Sequence, residues 1–590
     1  MLGKPLLIFD GRCGFCRIWI DYWKQLTGIQ LDYAASQDVA NEYPQIAPEK
    51  FSQSVQLVLP EGEVLEGAHA VFTTLTYAPG MAWPLWMYER IPGIAPVTEA
   101  SYRLIARNRS FFYWVTRFTF GRQVSARRYS KVEWLFLRLL ALIYASAFVS
   151  LAVQINGLIG ARGILPIGRY FPAMQQSFGS QAYWLAPSIF WLARSDGFLL
   201  AVCIAGAALS LVLLLGYFER PSLVCLYLLY LSLCTAGQDF LSFQWDILLL
   251  ESGFLAIFLG SSKVAVLLFR WLLFRLMFLS GMVKLMSHDP AWRNLSAMSF
   301  HYMTQPLPTP AAWYMYQLPF WFQRCSTAMV FVIELAVPFL FFAPRLWRFC
   351  SGFAVLLLQG LIFITGNYTF FNLLTMALCV FLFDDDALAR LRLLRVRTAR
   401  TGRSAVAAIA PIVLIVSGLE LQEMLTSGPP EPNPIVRLAA PFDIVNTYGL
   451  FAVMTTTRPE IVVQGSNDGI TWLDYRFPFK PGDLHRAPRW AAPYQPRLDW
   501  QMWFAALSNY QGTPWFGNFM VRLLQGSPEV LALLAENPFP AAAPKFVRAQ
   551  LFDYSFTNWQ ERRATGEWWK RGPRGLYSPA ISLDDVRAVP

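Results

Sequence analysis

Histidine, cysteine and charge are all scarce in this chain. There are four histidines in 590 residues, His69, His288, His301 and His485. His288 and His301 flank one loop with Asp289 beside them, but Pro290 intervenes and the spacing fits no helix pair, so no zinc set is expected. His69 and His485 read as surface or turn residues. Of eight cysteines, only Cys13 and Cys16 stand together. Cys203, Cys225, Cys234, Cys325, Cys350 and Cys379 lie singly in apolar runs and read as small buried hydrophobes, with no pair to serve a quinone-coupled disulfide relay. From residue 380 to 590 there is no cysteine, which excludes a disulfide-stapled secreted fold. That region also lacks a Ser-His-Asp grouping and a glycine-rich phosphate loop. Charged residues make up only 15% of the chain against 55% apolar residues. With a mean hydropathy of +0.37, this is too apolar for a soluble enzyme of such length and indicates a polytopic membrane protein.

The hydropathy is uneven and predicts three parts. Residues 1–107 form an α/β domain, 134–420 are dominated by long apolar runs, and 421–590 are polar and rich in proline and tryptophan. Leu6 to Phe9 is too short for the apolar core of a secretory signal and reads as a buried strand. It leads through Asp10-Gly11-Arg12 into a helix at about 16–27, then a strand at 29–34, a helix, strands at 55–60 and 63–66, and a helix at 68–78. This βαβ start followed by a hairpin is a thioredoxin-like order. Cys13 and Cys16 fall at a helix N-terminus, where free backbone N–H groups and the helix dipole favour a thiolate, and Arg12 and Arg17 add to that field. Asp10-Gly11-x-Cys13-x-x-Cys16, with Glu61-Gly62 and Gly67-Ala68-His69-Ala70 later on, resembles the DCC family of thiol–disulfide oxidoreductases. The resemblance covers about 1–107 and implies redox work by Cys13 and Cys16. One departure is Ser54 before Val55, where thioredoxins keep a cis-proline.

Between Arg107 and Glu133 aromatics alternate with cations. Placed just before a membrane span, residues 108–133 read as an interfacial segment on anionic lipid rather than as an RNA-binding patch. Nine spans are then predicted, at about 134–155, 197–217, 221–237, 240–260, 264–286, 323–343, 346–365, 369–383 and 404–420. Lys and Arg alternate across them. Arg107 to Lys131, Arg220, Lys263, Arg345 with Arg348, and the cluster from Arg390 to Arg403 fall on one side, whereas loops such as 238–243 and 366–368 hold none. The positive-inside rule places the Cys13/Cys16 domain in the cytoplasm and 421–590 across the membrane. The net charge of +11 is thereby topological, and no nucleic-acid partner is implied.

Two acids and a lysine sit in or beside these spans. Asp246 and Glu251 lie about 140° apart around one helix, so they form no paired-carboxylate site by themselves. Each is expected to find a cation across the bundle, with Arg138, Arg270, Arg275 and Lys284 as candidates and Glu334 as a further acid. Two readings stand: structural intramembrane ion pairs, or a water-filled cavity in which Lys284 acts as a base. On the second, Lys284→Arg would abolish output, because a guanidinium stays protonated.

Several long motifs carry a second resemblance. Trp245-Asp246-Ile247-Leu248-Leu249-Leu250-Glu251-Ser252-Gly253-Phe254, Lys284-Leu285-x-Ser287-x-Asp289-Pro290-x-Trp292 and His301-Tyr302-x-Thr304-Gln305-Pro306-Leu307-Pro308 are similar to the lipase maturation factor family. So are Pro496-Arg497-Leu498-Asp499-Trp500-Gln501-Met502-Trp503-Phe504 and Leu551-Phe552-Asp553-Tyr554-Ser555-Phe556-Thr557. The resemblance spans about 130–570. It implies a membrane protein that helps secreted clients, lipases among them, reach their active form, with membrane lipids and a thiol redox partner as further partners. It makes Asp246, Glu251, His301 and Gln305 binding or structural positions in the membrane block. Family members of known role sit in the endoplasmic reticulum; fusion to a DCC-type domain suggests a bacterial inner membrane. The end of the fifth span also has a remote likeness to vitamin K-dependent carboxylase, from which only Lys284 carries over, as the base of an alternative membrane enzyme acting on a lipid, quinone or protein. No cofactor motif appears; the Cys13/Cys16 pair is the only redox group.

In 421–590, Glu460 to Trp472 reads as a hairpin turning at Asn467-Asp468-Gly469. Helices are predicted at about 498–508, 516–525 and 527–535, and a strand near 546–556, giving an α+β domain. Trp490, Trp500, Trp503, Trp515, Trp559, Trp568 and Trp569 exceed what such a core would hide, so some are expected to line a client groove or the membrane interface.

Overall fold

Strand Leu6–Phe9 (β1), the apolar run that opens the chain, is buried on both faces and centres the first sheet. The sheet runs β2-β1-β3-β4, with β2 at Asp32–Ala35, β3 at Gln56–Val58 and β4 at Val64–Glu66; β1 and β2 are parallel and the other pairs antiparallel. Helices Gly14–Thr27 and Gly67–Thr76 bury Ile20 and Ala70 against Leu7 and Leu57. This is the thioredoxin-like order expected. Three further helices follow, Trp83–Arg90, Ile94–Arg107 and Arg109–Phe120. The last is the basic-aromatic stretch, and it turns Phe111, Trp114 and Phe118 outward on one face at i, i+3 and i+7.

This computed structural model describes residues 3–120, 128–260, 262–389, 403–426 and 433–587. Arg122, Arg127 and the run from Arg390 to Arg400, on which part of the charge count rests, lie outside the described residues. The chain divides into two compact units, Met1–Arg128 with Ala343–Cys350, and Tyr129–Phe342 with Ser351–Pro590.

Seven helices among the described residues are long and apolar enough to cross a membrane: Ser130–Ala152, Asp196–Leu215, Glu219–Leu241, Lys263–Met286, Phe320–Phe342, Arg345–Thr365 and Ala405–Met424. The other two expected spans are shorter pieces, Gln244–Ala256 and Phe371–Leu382, less than the ~20 residues that cross hydrocarbon. Close approach depends on glycine. A Cβ on Gly206 would lie 2.3 Å from the Phe148 ring, and one on Gly253 would lie 1.9 Å from the Tyr144 hydroxyl, so only glycine lets these helices touch. The Phe320–Phe342 span changes pitch at a π turn, Val332–Ala336, followed by a 3-10 stretch, Val337–Phe342. Pro338 explains the break, since it has no N–H for the carbonyl four residues earlier, at Glu334.

The C-terminal part adds the antiparallel sheet β6-β5-β7-β8, from Arg458–Ser466 (β5), Leu473–Asp474 (β6), Phe546–Phe556 (β7) and Trp569–Ile581 (β8). The expected hairpin is β5–β6. Helices Arg497–Leu507 and Pro514–Leu524 match expectation, while the third shrinks to Pro528–Leu531. Strand β8 escaped prediction because Lys570, Arg571, Gly572, Pro573 and Gly575 break any apolar alternation; as an edge strand bonded only to β7, it tolerates them.

The tryptophans need a correction. Trp500, Trp503, Trp515 and Trp569 are buried, and three of them are buried against the membrane helices and their loops. Trp500 packs edge-on to Trp245 at 4.7 Å, Trp503 donates to the Thr304 carbonyl at 2.8 Å, and Trp515 meets Phe240 at 5.5 Å. Trp490 and Trp559 alone of the seven are largely exposed. The aromatic excess is a docking surface for the chain's own membrane block. The single cysteines also divide: Cys203 and Cys379 are buried as expected, whereas Cys225, Cys325 and Cys350 face outward.

Candidate functional site

Two groups of chemistry-bearing residues stand out, one in each unit. In the first, Cys13 is the N-cap of helix Gly14–Thr27, and its sulfur accepts the Cys16 backbone N–H at 3.2 Å. Asp10 anchors the turn: its Oδ1 accepts from the Arg12 N–H at 3.0 Å and from Gln37 at 3.1 Å, and Arg109 pairs with its Oδ2 at 3.4 Å. Hydrogen bonding from Cys16, helped by the nearby Arg109 charge, lowers the Cys13 pKa to about 6 against the opposing effect of burial. The bond to Cys13 and burial push the Cys16 thiol far up. The two thiols are thus set apart, Cys13 losing its proton first and Cys16 keeping its own.

A pH titration follows directly. Peptide-level alkylation of the full-length protein by iodoacetamide should give a Cys13 rate that is half-maximal near pH 6 and falls about tenfold per unit below it, with Cys16 unmodified until well above pH 9. A Cys13 midpoint at the free-thiol value of about 8.5 would remove the assignment.

In the second unit the intramembrane charges pair, Glu251 and Lys284 with expected partners and Asp246 with one the sequence did not suggest. Asp246 meets a cation from the C-terminal part: Arg497 Nη1 and Nη2 each lie 2.8 Å from its two oxygens. Tyr230 donates to the same carboxylate at 2.5 Å, and Arg497 also donates to the Phe240 carbonyl at 2.8 Å. Glu251 pairs with Arg275, one of the expected candidates, and accepts from the Tyr448 hydroxyl at 2.8 Å and the Asn446 N–H at 3.1 Å; Arg275 returns a bond to the Asn446 carbonyl at 2.8 Å. Lys284 takes Glu334, at 2.8 and 3.1 Å from its oxygens, and the Ser280 carbonyl at 2.9 Å. The other candidates are engaged elsewhere, Arg138 with Glu219 at 2.8 Å and Arg270 with the Phe381 carbonyl at 2.9 Å.

Two of these pairs, those of Asp246 and Glu251, share a purpose. Residues 443–454 are non-helical, yet Val445 and Tyr448 are buried among the membrane helices. Irregular backbone survives at membrane depth only where protein satisfies its polar groups. Glu251 and Arg275 do so at Asn446, and Gln244 does so at Gly449, exchanging bonds of 3.2 Å in each direction. Arg497 secures Phe240 in the same way. Arg458 extends the scheme, donating to the carbonyls of Met303, Gln305 and Pro306 at 2.7, 2.5 and 2.8 Å. Asp289 is likewise structural, accepting from Ala291 and Trp292 at a helix start and from Met454.

A cavity of about 260 Å³ opens beside the third pair, lined by Lys284, Glu334, His301, Tyr368, Gln359 and Asn372 at its polar end. Burial, reinforced by the Lys284 charge, lowers the His301 pKa to about 4, so the ring is neutral at pH 7. Gln305 lies behind it, donating to the Thr365 carbonyl at 2.9 Å and accepting from Tyr368 at 3.1 Å. His288 contacts Arg293, away from His301. Among the described residues no group of three or more His, Cys, Asp or Glu side chains could hold a metal.

The sequence reading missed Arg497, Asn446, Tyr448 and Asn372. Arg497 alone carried a signal, a cation heading an otherwise apolar, tryptophan-rich helix.

Comparison with known proteins agrees with this division. Residues 131–390 match the lipase maturation factor transmembrane domain, 444–579 the lipase maturation factor C-terminal domain, and 7–115 the DCC1-like thiol-disulfide oxidoreductase. Lipase maturation factor 2 of Xenopus laevis is 37% identical over 574 residues, covering 75% of this chain and 81% of the relative. The Homo sapiens protein of that name is 35% identical over 76% of this chain and 82% of its own length. Lipase maturation factor 1 of Bos taurus is 34% identical over 82% of this chain and 91% of its own length. No solved structure matches.

Proposed function

The chain belongs to the lipase maturation factor family, and from that membership we propose that it is an integral membrane factor that brings a secreted client, a lipase, to its active form. The observation that carries the reading is the Asp246–Arg497 pair, which ties the C-terminal part to the membrane helices within one compact unit. A platform of that kind can present a fixed surface to a folding client at the membrane. The DCC1-like domain adds thiol exchange through Cys13 and Cys16, which needs a protein thiol partner and no bound cofactor. The alternative of a membrane enzyme using Lys284 has no support from the relatives, and the lysine's three protons are all engaged.

For orientation, we place the dithiol domain in the cytoplasm and the C-terminal part outside, in a bacterial inner membrane. Two facts support this. The cation-poor loops are the ones the C-terminal part grips: Gln501 donates to the Asp239 carbonyl, and Asn367 bonds Arg489, Ala491 and Ala492. The cations Arg220, Lys263, Arg345 and Arg348 lie at the other helix ends.

The test is co-expression with a secreted lipase in a host lacking the gene. Secreted activity per unit of lipase antigen should rise several-fold with the intact chain and stay at background with Arg497→Leu. An unchanged ratio with the intact chain would end the proposal, and reporter fusions at Gly28 and Ser508 returning one compartment would end the orientation.

A further inference from the structure

We propose that the cavity beside Lys284 and Glu334 binds a single-chain neutral lipid with a hydroxyl head, taken laterally from the bilayer.

Its position sets the source of the ligand. The wall is built from helices Lys263–Met286, Phe320–Phe331 and Arg345–Thr365. Three residues that line it, Met329, Leu357 and Leu361, are also 55%, 63% and 47% exposed on the outer face of membrane-crossing helices. The opening therefore meets hydrocarbon rather than water, and what enters there is an acyl or alkyl chain. At about 260 Å³ the space falls below the ~300–1,000 Å³ of pockets that take drug-sized ligands, which suits one chain and not two. Met277, Met298, Met315 and Met329 contribute to the wall. Their flexible thioethers mould to a chain better than branched side chains do.

The closed end sets the head group. Lys284 and Glu334 neutralise each other, and the lysine has no proton left to offer. A carboxylate or phosphate arriving here would face Glu334 without a free cation, so the head is uncharged. Asn372, 1% exposed, also lines the cavity; its Nδ2 donates to Gln359 Oε1 at 2.7 Å, while its Oδ1 is buried without a hydrogen-bond partner. Reversing both amides would move the unpartnered atom to Nδ2. A hydroxyl answers either arrangement, because it both donates and accepts. Binding is read with no client protein present, so this proposal stands or falls apart from the maturation reading.

The experiment is photo-crosslinking of the full-length protein in membranes with a 1-monoacylglycerol carrying a diazirine in its acyl chain. Adducts should concentrate in peptides containing Met277 to Ser280, Met329 to Glu334 and Leu357 to Ile362. Unlabelled monoacylglycerol should compete, and the free fatty acid or phosphatidylcholine of equal chain length should not. Asn372→Leu should lower labelling severalfold. Met329→Trp, which plugs the mouth from a half-exposed position and spares the core, should lower it at least tenfold with the melting temperature unchanged, and it decides the matter if Asn372→Leu fails to fold. Better competition by fatty acid would overturn the neutral head. Labelling absent, or spread over the lipid-facing helices and unaffected by Met329→Trp, would overturn the site and leave water as the occupant.

Discussion

Replacing Arg497 by leucine is expected to destabilise the second unit by about 3–5 kcal/mol, the usual cost of removing one partner from a buried ion pair. Asp246 and Arg497 both have fully buried side chains. Without the guanidinium, a carboxylate remains in the bundle with only the Tyr230 hydroxyl to stabilise it, and the Phe240 carbonyl loses its donor. The contrast with an exposed pair is instructive. Lys50–Glu66 is almost as close, at 2.9 Å, but both side chains are about half exposed, so breaking it should change stability by no more than ~1 kcal/mol. The mechanism predicts a specific rescue. Asp246→Leu combined with Arg497→Leu should recover most of the loss, because matched apolar replacements of a buried pair are often close to neutral. The residue unrecovered should correspond to Tyr230 and Phe240, roughly 1–3 kcal/mol for each group left unsatisfied. Thermal unfolding of the purified protein in detergent, run as a double-mutant cycle, reads all of this. Single variants that unfold with the wild type would show that the pair does not hold the C-terminal part to the bundle.

How far the sequence reached depends on the range of the interactions involved. The βαβ start, the dithiol helix and seven spans follow from local apolar pattern and capping chemistry, and they were legible. The short pieces Gln244–Ala256 and Phe371–Leu382 have the hydropathy of spans, and what shortens them is the packing of loops from distant parts of the chain. Asp246 and Glu251 were recognised as charges that need cations. Sequence alone does not rank their partners, because Arg497 lies outside the membrane block, 251 residues from Asp246. The tryptophans failed for the same reason. Trp500 and Trp503 look like surplus surface when 421–590 is treated as a separate soluble domain, and they are core once that part is docked on the helices. Asn446 and Tyr448 gave no signal at all, since a short stretch with neither helical nor strand periodicity does not announce that it will be buried beside Glu251.

Lys284 is where the sequence left two mechanisms open, and the pair with Glu334 makes opposite predictions for them. A base must shed its proton, yet the ammonium here is held by both Glu334 oxygens and the Ser280 carbonyl. Deprotonation would strand a carboxylate in the π turn, where Pro338 already withholds a backbone donor. The lysine also stands 5.3 Å from the Trp292 ring centre, a cation–π contact that adds to its packing. A structural cation can be exchanged for another. Arginine at 284 keeps the charge, pairs with Glu334 and finds room in the adjoining 260 Å³ cavity. Lys284→Arg is therefore expected to melt within a few degrees of the wild type and to retain maturation output. Lys284→Met should lose about 3–5 kcal/mol and most of the folded protein in the membrane. Glu334→Met added to Lys284→Met should restore the fold, because neither charge is then left alone. Melting temperatures and secreted lipase activity measured on the four proteins separate the cases: a folded Lys284→Arg protein with no output would restore the base, and a double variant as unstable as Lys284→Met would show that the pair is not what Lys284 contributes.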